Sequence, residues 1–382
     1  MNTTVPTLKH SLSLTLQRFY PLAGHITWPH DSTKPHILYK DGDSVSLTVA
    51  ECNYDFDHIA GNHLRNAGDL YPLVATFEEH ALSDTKSVPI SCFQITLFPN
   101  KGICIGFTFN HMAVDGRSAD LIMKTWASLC RSQGDTSRVT ESLPFYDRTM
   151  VKDRNGIELV NLKDLETMGM TKETCNILKT PKLPFNFVQG SFVMSCSEIG
   201  KLRQWVLSCL NKDKKFVPPF HLSTFTLISS YVWICSIKAR RTTEDVLRSC
   251  EDQMEYFLFS ADCRACLDPP LPVTYFGNCN GGFVVEGDRN ELIGVNGIAI
   301  AAEMIGKAIM NLDTELWSVM GKGVSYYQRI PMAKLAIVSW SPKFAVYETD
   351  FGWGNPRRPK RLMRLIYVLL KVQMKKAPSR LT

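Results

Sequence analysis

His111, Asp115 and Gly116 stand together in Asn110-His111-Met112-Ala113-Val114-Asp115-Gly116, directly after the apolar run ICIGFTF at 103–109. An imidazole with its ordinary pKa of roughly 6.5 accepts a proton at neutral pH and suits general-base work. A carboxylate four residues on either orients the ring or holds the loop by pairing with an arginine elsewhere. Gly116 permits backbone conformations that other residues resist. The end of a strand is a rigid support from which a turn displays its side chains. A surface histidine beside a turn Asp-Gly fits the same residues, and H-x-x-x-D alone does not choose.

A second cluster, Asp350-Phe351-Gly352-Trp353-Gly354, is rarer by composition. Two glycines around a tryptophan let the backbone pass close to another segment or a ligand while the indole anchors the loop; a packed aromatic loop reads equally well. Cys263-x-x-Cys266 has the spacing of half a zinc or redox site, but no second pair or spaced histidines accompany it, so no metal is expected. The sequence has no G-x-S-x-G elbow, no G-x-G-x-x-G and no P-loop motif, which argues against the usual serine-hydrolase and nucleotide sites. Asn278 to Gly282 (NCNGG) reads as a turn rather than a phosphate cradle, and His221, beside two prolines, as a helix-entry residue.

The elements around these clusters follow from apolar periodicity. Leu8, Leu12, Leu16 and Phe19 predict a helix that Pro21 and Gly24 end. Short alternating runs at 36–40 and 44–49 predict half-buried strands. Residues 93–99 and 103–109 predict neighbouring strands across the turn Pro99-Asn100-Lys101-Gly102, followed by an amphipathic helix over 118–130 with Ser118 as its N-cap. Polar, irregular 131–190 suits a crossover. Beyond it the pattern predicts a strand at 190–195 and a helix at 197–210. A helix capped by Ser223 or Thr224 then runs to Arg240, with strands at 256–260, 282–285 and 335–340 and a helix near 291–310. Strands mixed with helices mean α/β or α+β in two lobes of similar size.

Composition sets the class. The 382 residues are 45% hydrophobic, 21% charged and 10% aromatic, which excludes a disordered or fibrous chain. No stretch approaches the roughly 18 uninterrupted apolar residues of a membrane span, and the N-terminus shows no secretory signal pattern. Twelve cysteines placed singly suit reduced thiols in the cytoplasm. The net charge of +6 is misleading, because residues 356–382 carry nine Lys or Arg and no acid, leaving −3 on residues 1–355. A nucleic-acid-binding fold is therefore not indicated. The basic tail reads as a solvated end, with a membrane-surface or partner-binding role as the other reading.

Taken together, Gln17-Arg18-Phe19-Tyr20-Pro21-Leu22-Ala23-Gly24, His111 to Gly116 and Asp350 to Gly354 resemble the plant BAHD acyltransferases from about Leu8 to Gly354. Ser223-Thr224-Phe225 before Tyr231-Val232-Trp233, Tyr275-Phe276-Gly277-Asn278-Cys279, and Ala261-Asp262-Cys263-Arg264 before Pro269-Pro270-Leu271-Pro272 resemble the anthocyanin and phenolic-glucoside branch. The resemblance implies an α/β, two-lobed, chloramphenicol-acetyltransferase-like fold with a channel between the lobes. The lobes would be residues 1–175, carrying the histidine motif, and 176–355, carrying the Asp350–Gly354 motif, with 356–382 a divergent basic tail. It implies acyl-CoA as co-substrate, a glycosylated phenolic acceptor, no metal or bound cofactor, and a cytoplasmic monomer. His111 would be the general base, removing the acceptor hydroxyl proton as oxygen attacks the thioester. Asp115 would be structural and pair with an arginine, for which Arg264 is the candidate. Asp350, Phe351, Gly352, Trp353 and Gly354 would shape the lobe interface and the coenzyme A channel without touching reacting atoms.

Three departures from the family pattern stand out. Relatives begin several dozen residues before Leu8, and after Pro356 they continue with alternating strand sequence that this tail does not match. Malonyl-preferring relatives tend to carry an arginine where Gln189 precedes Gly190-Ser191-Phe192, so a natural malonate counter-ion is missing and a hydroxycinnamoyl donor becomes comparable. The expected function is acyl-CoA-dependent O-acylation of a sugar hydroxyl on a flavonoid, anthocyanin or phenolic glucoside. The alternatives are a catalytically weak or inactive paralogue and a carrier-protein-dependent condensation enzyme, in whose motif a second histidine would occupy the place of Asn110.

Overall fold

Leu8 and Leu12, on one face of the first helix, become wholly buried beside Phe93, Ile95 and Trp126, so the periodicity at the start of the chain marks a packed face. The structure, a computed structural model, describes residues 3–77, 87–153, 155–174, 188–211, 219–240, 253–339 and 344–356. They divide into two compact units. The first holds the described residues up to 189 together with 267–280 and 344–356; the second holds those from 190 to 266 and from 281 to 339. This division is not sequential. The boundaries expected at 175/176 and 355/356 assign 267–280 and the Asp350–Gly354 loop to the second half, whereas both return to the first unit.

In chain order the first unit contains α1 (Thr4–Arg18), β1 (His25–Thr27), β2 (His36–Leu38), β3 (Ser46–Glu51), α2 (Phe56–Ala60), β4 (Arg65–Asn66), β5 (Ser87–Pro89), β6 (Ser91–Phe98), β7 (Gly102–Phe109), α3 (Gly116–Arg131), α4 (Ile157–Thr167) and β8 (Val188–Gln189). β6 is the middle strand of β3-β6-β7, parallel to β3 and antiparallel to β7, and its side chains are almost all buried. The tight turn joining β6 to β7 places Asn100 at φ 58°, a conformation that asparagine tolerates better than most residues. A second sheet, β2-β1-β5, is antiparallel throughout. The crossover expected at 131–190 is less irregular than its composition suggests, since α4 and two 3-10 turns occupy part of it. The strand expected at 190–195 is a correction. Only Val188 and Gln189 pair, antiparallel to Asn66 and Arg65, and 190–195 is irregular. Alternation needs a neighbouring edge to become a ladder, and Phe192 and Val193 there are largely exposed.

The second unit contains α5 (Cys196–Leu210), α6 (Thr224–Arg240), β9 (Met254–Asp262), β10 (Asn280–Asp288), α7 (Arg289–Ile293), α8 (Gly297–Met310), α9 (Leu312–Met320), α10 (Gly323–Gln328) and β11 (Leu335–Val338). α5 opens on a capping box in which Ser195 and Glu198 satisfy each other's backbone N–H groups. Ser223 caps the next helix, as expected, accepting from the Thr226 N–H at 3.1 Å. The sheet order is β10-β9-β11, with β11 parallel to β9. Trp233 of α6 packs on Phe257 of β9, and Phe259 stacks on Phe283 of β10. Glu255, fully buried, is held by Arg240 and by the Arg289 guanidinium at 2.7 and 2.8 Å. A buried carboxylate is tolerated only when paired in this way. The single helix expected near 291–310 is two, α7 and α8, and the NCNGG run is half turn and half strand, since β10 starts at Asn280. The basic tail beyond Pro356 lies outside the described residues.

Candidate active site

β7 delivers the chain to a tight turn over residues 110–113. Buried Asn110 anchors it three times: its N–H donates to Ile90 O at 2.8 Å, its carbonyl accepts from Ala113 at 3.0 Å, and its side-chain oxygen accepts from the Met112 N–H at 3.1 Å. His111 stands exposed on this turn. The backbone is thus anchored while His111 itself stays accessible, and a general base must be within hydrogen-bond reach of the proton it takes.

Asp115, not Ser118, is the N-cap of α3. Its Oδ1 accepts from the Ser118 N–H at 2.8 Å, and the helix begins at Gly116, two residues earlier than expected. Both residue types cap helices well; tertiary contact decides between them here. Ser118 turns its hydroxyl to the 275–279 segment, accepting from Gly277 N–H at 3.2 Å and lying 3.2 Å from Gly277 O. The second oxygen of Asp115 accepts from Cys279 N–H at 3.1 Å. Asp115 is 3% exposed, and its carboxylate clamps the start of α3 to a segment 164 positions away.

The same segment reaches the histidine turn through Asn278, whose Nδ2 donates to His111 O at 2.7 Å and to Met112 O at 2.9 Å. Its other flank is tied down as well. Phe145 and Tyr275 form a parallel bridge, with Phe145 N–H donating to Thr274 O and Phe276 N–H to Phe145 O, both at 2.9 Å. The Arg148 guanidinium donates to the Tyr275 hydroxyl at 3.0 Å. The Tyr275–Cys279 motif is visible in the sequence, but the donor role of its asparagine is not. A long-range bond from one amide to two carbonyls leaves no local periodicity to read.

Asp350, Phe351, Gly352, Trp353 and Gly354 gather at the opposite end of α3. Asp350 accepts from the N–H groups of Gly352 at 2.7 Å and Gly354 at 2.9 Å, and lies 4.0 Å from the guanidinium of Arg131, the last residue of the helix. Phe351 packs edge-on against Trp126, ring centres 5.2 Å apart. Gly352 has φ +105°, a left-handed conformation that favours glycine, although a Cβ there would meet Arg131 Cα at an ordinary contact distance of 3.4 Å. Trp353 is about half exposed. Sixteen helical residues at a rise of about 1.5 Å place roughly 24 Å between this loop and the Asp115 end.

Two further expected residues are Gln189 and Arg264. Gln189 is on β8 opposite Arg65, and its side-chain oxygen is buried without a hydrogen-bond partner among the described residues. Arg65 directs its guanidinium to the carbonyls of Ile59, Gly61 and His63. Arg264 belongs to the second unit, buried, with its guanidinium 2.9 Å from Asp262. Cys263 is buried and Cys266 partly so, both as free thiols, and burial raises the Cys266 thiol to about 11. Among the described residues no three His, Cys, Asp or Glu side chains are arranged to hold a metal.

Comparison with known proteins gives this geometry a family. Residues 1–360 match the profile described as the Transferase family. Phenolic glucoside malonyltransferase 1 of Nicotiana tabacum is 36% identical over 362 residues, covering 94% of this chain and 77% of its own length. Malonyl-coenzyme A:anthocyanin 3-O-glucoside-6''-O-malonyltransferase of Dahlia pinnata is 35% identical over 361 residues, covering 92% and 75%. Among solved structures, vinorine synthase superposes with a TM-score of 0.64 at 19% identity, over 98% of this chain and 79% of that one. The two-domain, chloramphenicol-acetyltransferase-like α/β architecture expected from the sequence is the one observed.

Proposed function

The chain belongs to the Transferase family, the BAHD acyltransferases, and on that premise we propose how its residues divide the work. It is an acyl-CoA-dependent O-acyltransferase that moves an acyl group to a sugar hydroxyl of a phenolic or anthocyanin glucoside. His111 takes the proton of the acceptor hydroxyl as that oxygen attacks the thioester carbonyl. The tetrahedral intermediate then expels the coenzyme A thiolate, which His111 protonates. Proton transfer of this kind contributes typically about 10²–10⁴-fold. The observation that carries the assignment is an exposed imidazole on a turn whose backbone is anchored from Asn110 below and Asn278 at the side. Asp115 is structural in this scheme, with both oxygens on backbone N–H groups. The Asp350–Gly354 loop supports α3 from its far end.

The acyl group is malonyl, as in the names of the tobacco and dahlia relatives. Gln189 favours a second reading, a hydroxycinnamoyl donor, because a neutral amide offers a carboxylate no counter-charge. The proposal extends to a cytoplasmic monomer. Ten described cysteines are free thiols, which suits a reducing compartment, and no described helix is long and apolar enough to cross a membrane. The test is thiol release from malonyl- and coumaroyl-CoA with phenolic glucosides present, run beside His111→Ala. Acceptor-dependent release that falls at least about 100-fold in the variant is expected. Release that survives the substitution, or none from a cooperatively melting wild type, would overturn the assignment.

A further inference from the structure

The side-chain amide of Asn278 faces two acceptors, the carbonyls of His111 and Met112, so its nitrogen and not its oxygen must point at them. One NH2 group has two protons, and the two carbonyls take one each. These carbonyls belong to consecutive peptide planes. Holding both fixes the backbone torsions of Met112 and the ψ of His111, and with them the direction of the bond from which the imidazole projects. Asn278 has little freedom to leave this position. The residue before it is pinned through Gly277 N–H to Ser118 Oγ, and the residue after it through Cys279 N–H to Asp115.

We propose that Asn278 is a positioning residue of the transfer reaction, one that aims His111 by gripping the peptide planes on its C-terminal side. The inference rests on the reading of His111 as the general base. A role limited to filling space or stabilising the loop makes a different prediction, because Asn278 is exposed and aspartate has the same shape. Asn278→Asp would set a carboxylate against two carbonyl oxygens and push the turn away. Asn278→Ala would leave both carbonyls to water, which satisfies them without directing them. Asn278→Gln retains the donor on a longer stem.

The experiment measures kcat and KM for acyl-CoA and acceptor in these three variants, corrected for folded protein by thermal melting, with His111→Ala alongside. The expected order of kcat is wild type, Gln, Ala, Asp, with KM values within about twofold. A 1 Å misplacement of a reacting group costs about 100-fold, so losses of about 10-fold for Ala and about 100-fold for Asp are expected. Asp equal to or above Ala, or kcat per folded enzyme unchanged in Ala, would overturn the proposal. If the Asp variant does not fold, Gln and Ala decide: Gln above Ala supports a donor role, and Gln equal to Ala overturns it. Activity that survives His111→Ala removes the base itself and so defeats both readings. A silent His111→Ala beside Asn278 variants that match wild type defeats this one alone.

Discussion

Asp115 and Asp350 serve opposite ends of one helix and use their carboxylates in different ways. Asp115, buried, spends one oxygen on its own helix start and the other on Cys279, far along the chain. Asp350, with a quarter of its side chain exposed, gives a single oxygen to two N–H groups within its own loop. The first is a tertiary clamp and the second a local turn-former. The difference teaches that two motifs of similar composition need not share a role. The clamp lies within four residues of the histidine, whereas the loop is a helix length away.

Removing the clamp is the most severe way to test this contrast. Asp115→Ala strips the cap of α3 and leaves the buried N–H groups of Ser118 and Cys279 without this acceptor, at about 1–3 kcal/mol each. A loss of about 3 kcal/mol in denaturant stability is expected, with kcat falling as well. Asp350→Ala should cost about 1 kcal/mol, because its partners sit at the surface where water replaces the carboxylate. KM and kcat should stay near wild type. Equal losses in the two variants would erase the distinction. Gly352→Ala sharpens it, since φ +105° is a left-handed conformation that a Cβ resists; about 1 kcal/mol is expected with activity retained. A drop in kcat there would bring the loop into the chemistry.

The smallest effect concerns Asp120, on α3 between the two ends. Burial raises its pKa above the ordinary 3.8 against the lowering pull of Lys124 and Arg117. A carboxyl with a raised folded-state pKa binds more protons folded than unfolded, so it removes stability as pH climbs from 3.8 through the raised value. Asp120→Asn should therefore gain in melting temperature relative to wild type between pH 3.5 and pH 7. The 3.0 Å pair with Lys124 opposes this trend without reversing it, because it forms with the ionised carboxylate. A flat difference would show that burial does not govern this group.

Much of the fold was readable from local pattern. The heptad-like leucines of α1, the β6–β7 hairpin with its Pro-Asn-Lys-Gly turn, and the Ser223 cap of α6 each depend on residues near in sequence. The misses share a cause. Ser118 is as good a cap as Asp115 until the Tyr275 segment claims its hydroxyl. Residues 190–195 alternate like a strand yet find no ladder. The His111–Asp115 motif was visible, but its support from Asn278 and Cys279 crosses more than 160 positions, where no periodicity operates.

That separation has a consequence for how the protein is made. The turn bearing His111 leaves the ribosome early, but its last hydrogen-bonding partners are synthesised more than 160 residues later. At about 5–20 residues per second, the nascent chain waits roughly 10–30 s with the turn unfinished. Until then Gly277 and Cys279, whose N–H groups donate to Ser118 and Asp115 in the folded chain, have not been made. The hydrogen bonding of this turn is thus completed late. A chain arrested before residue 279 carries the complete histidine motif without the bonds that assemble it.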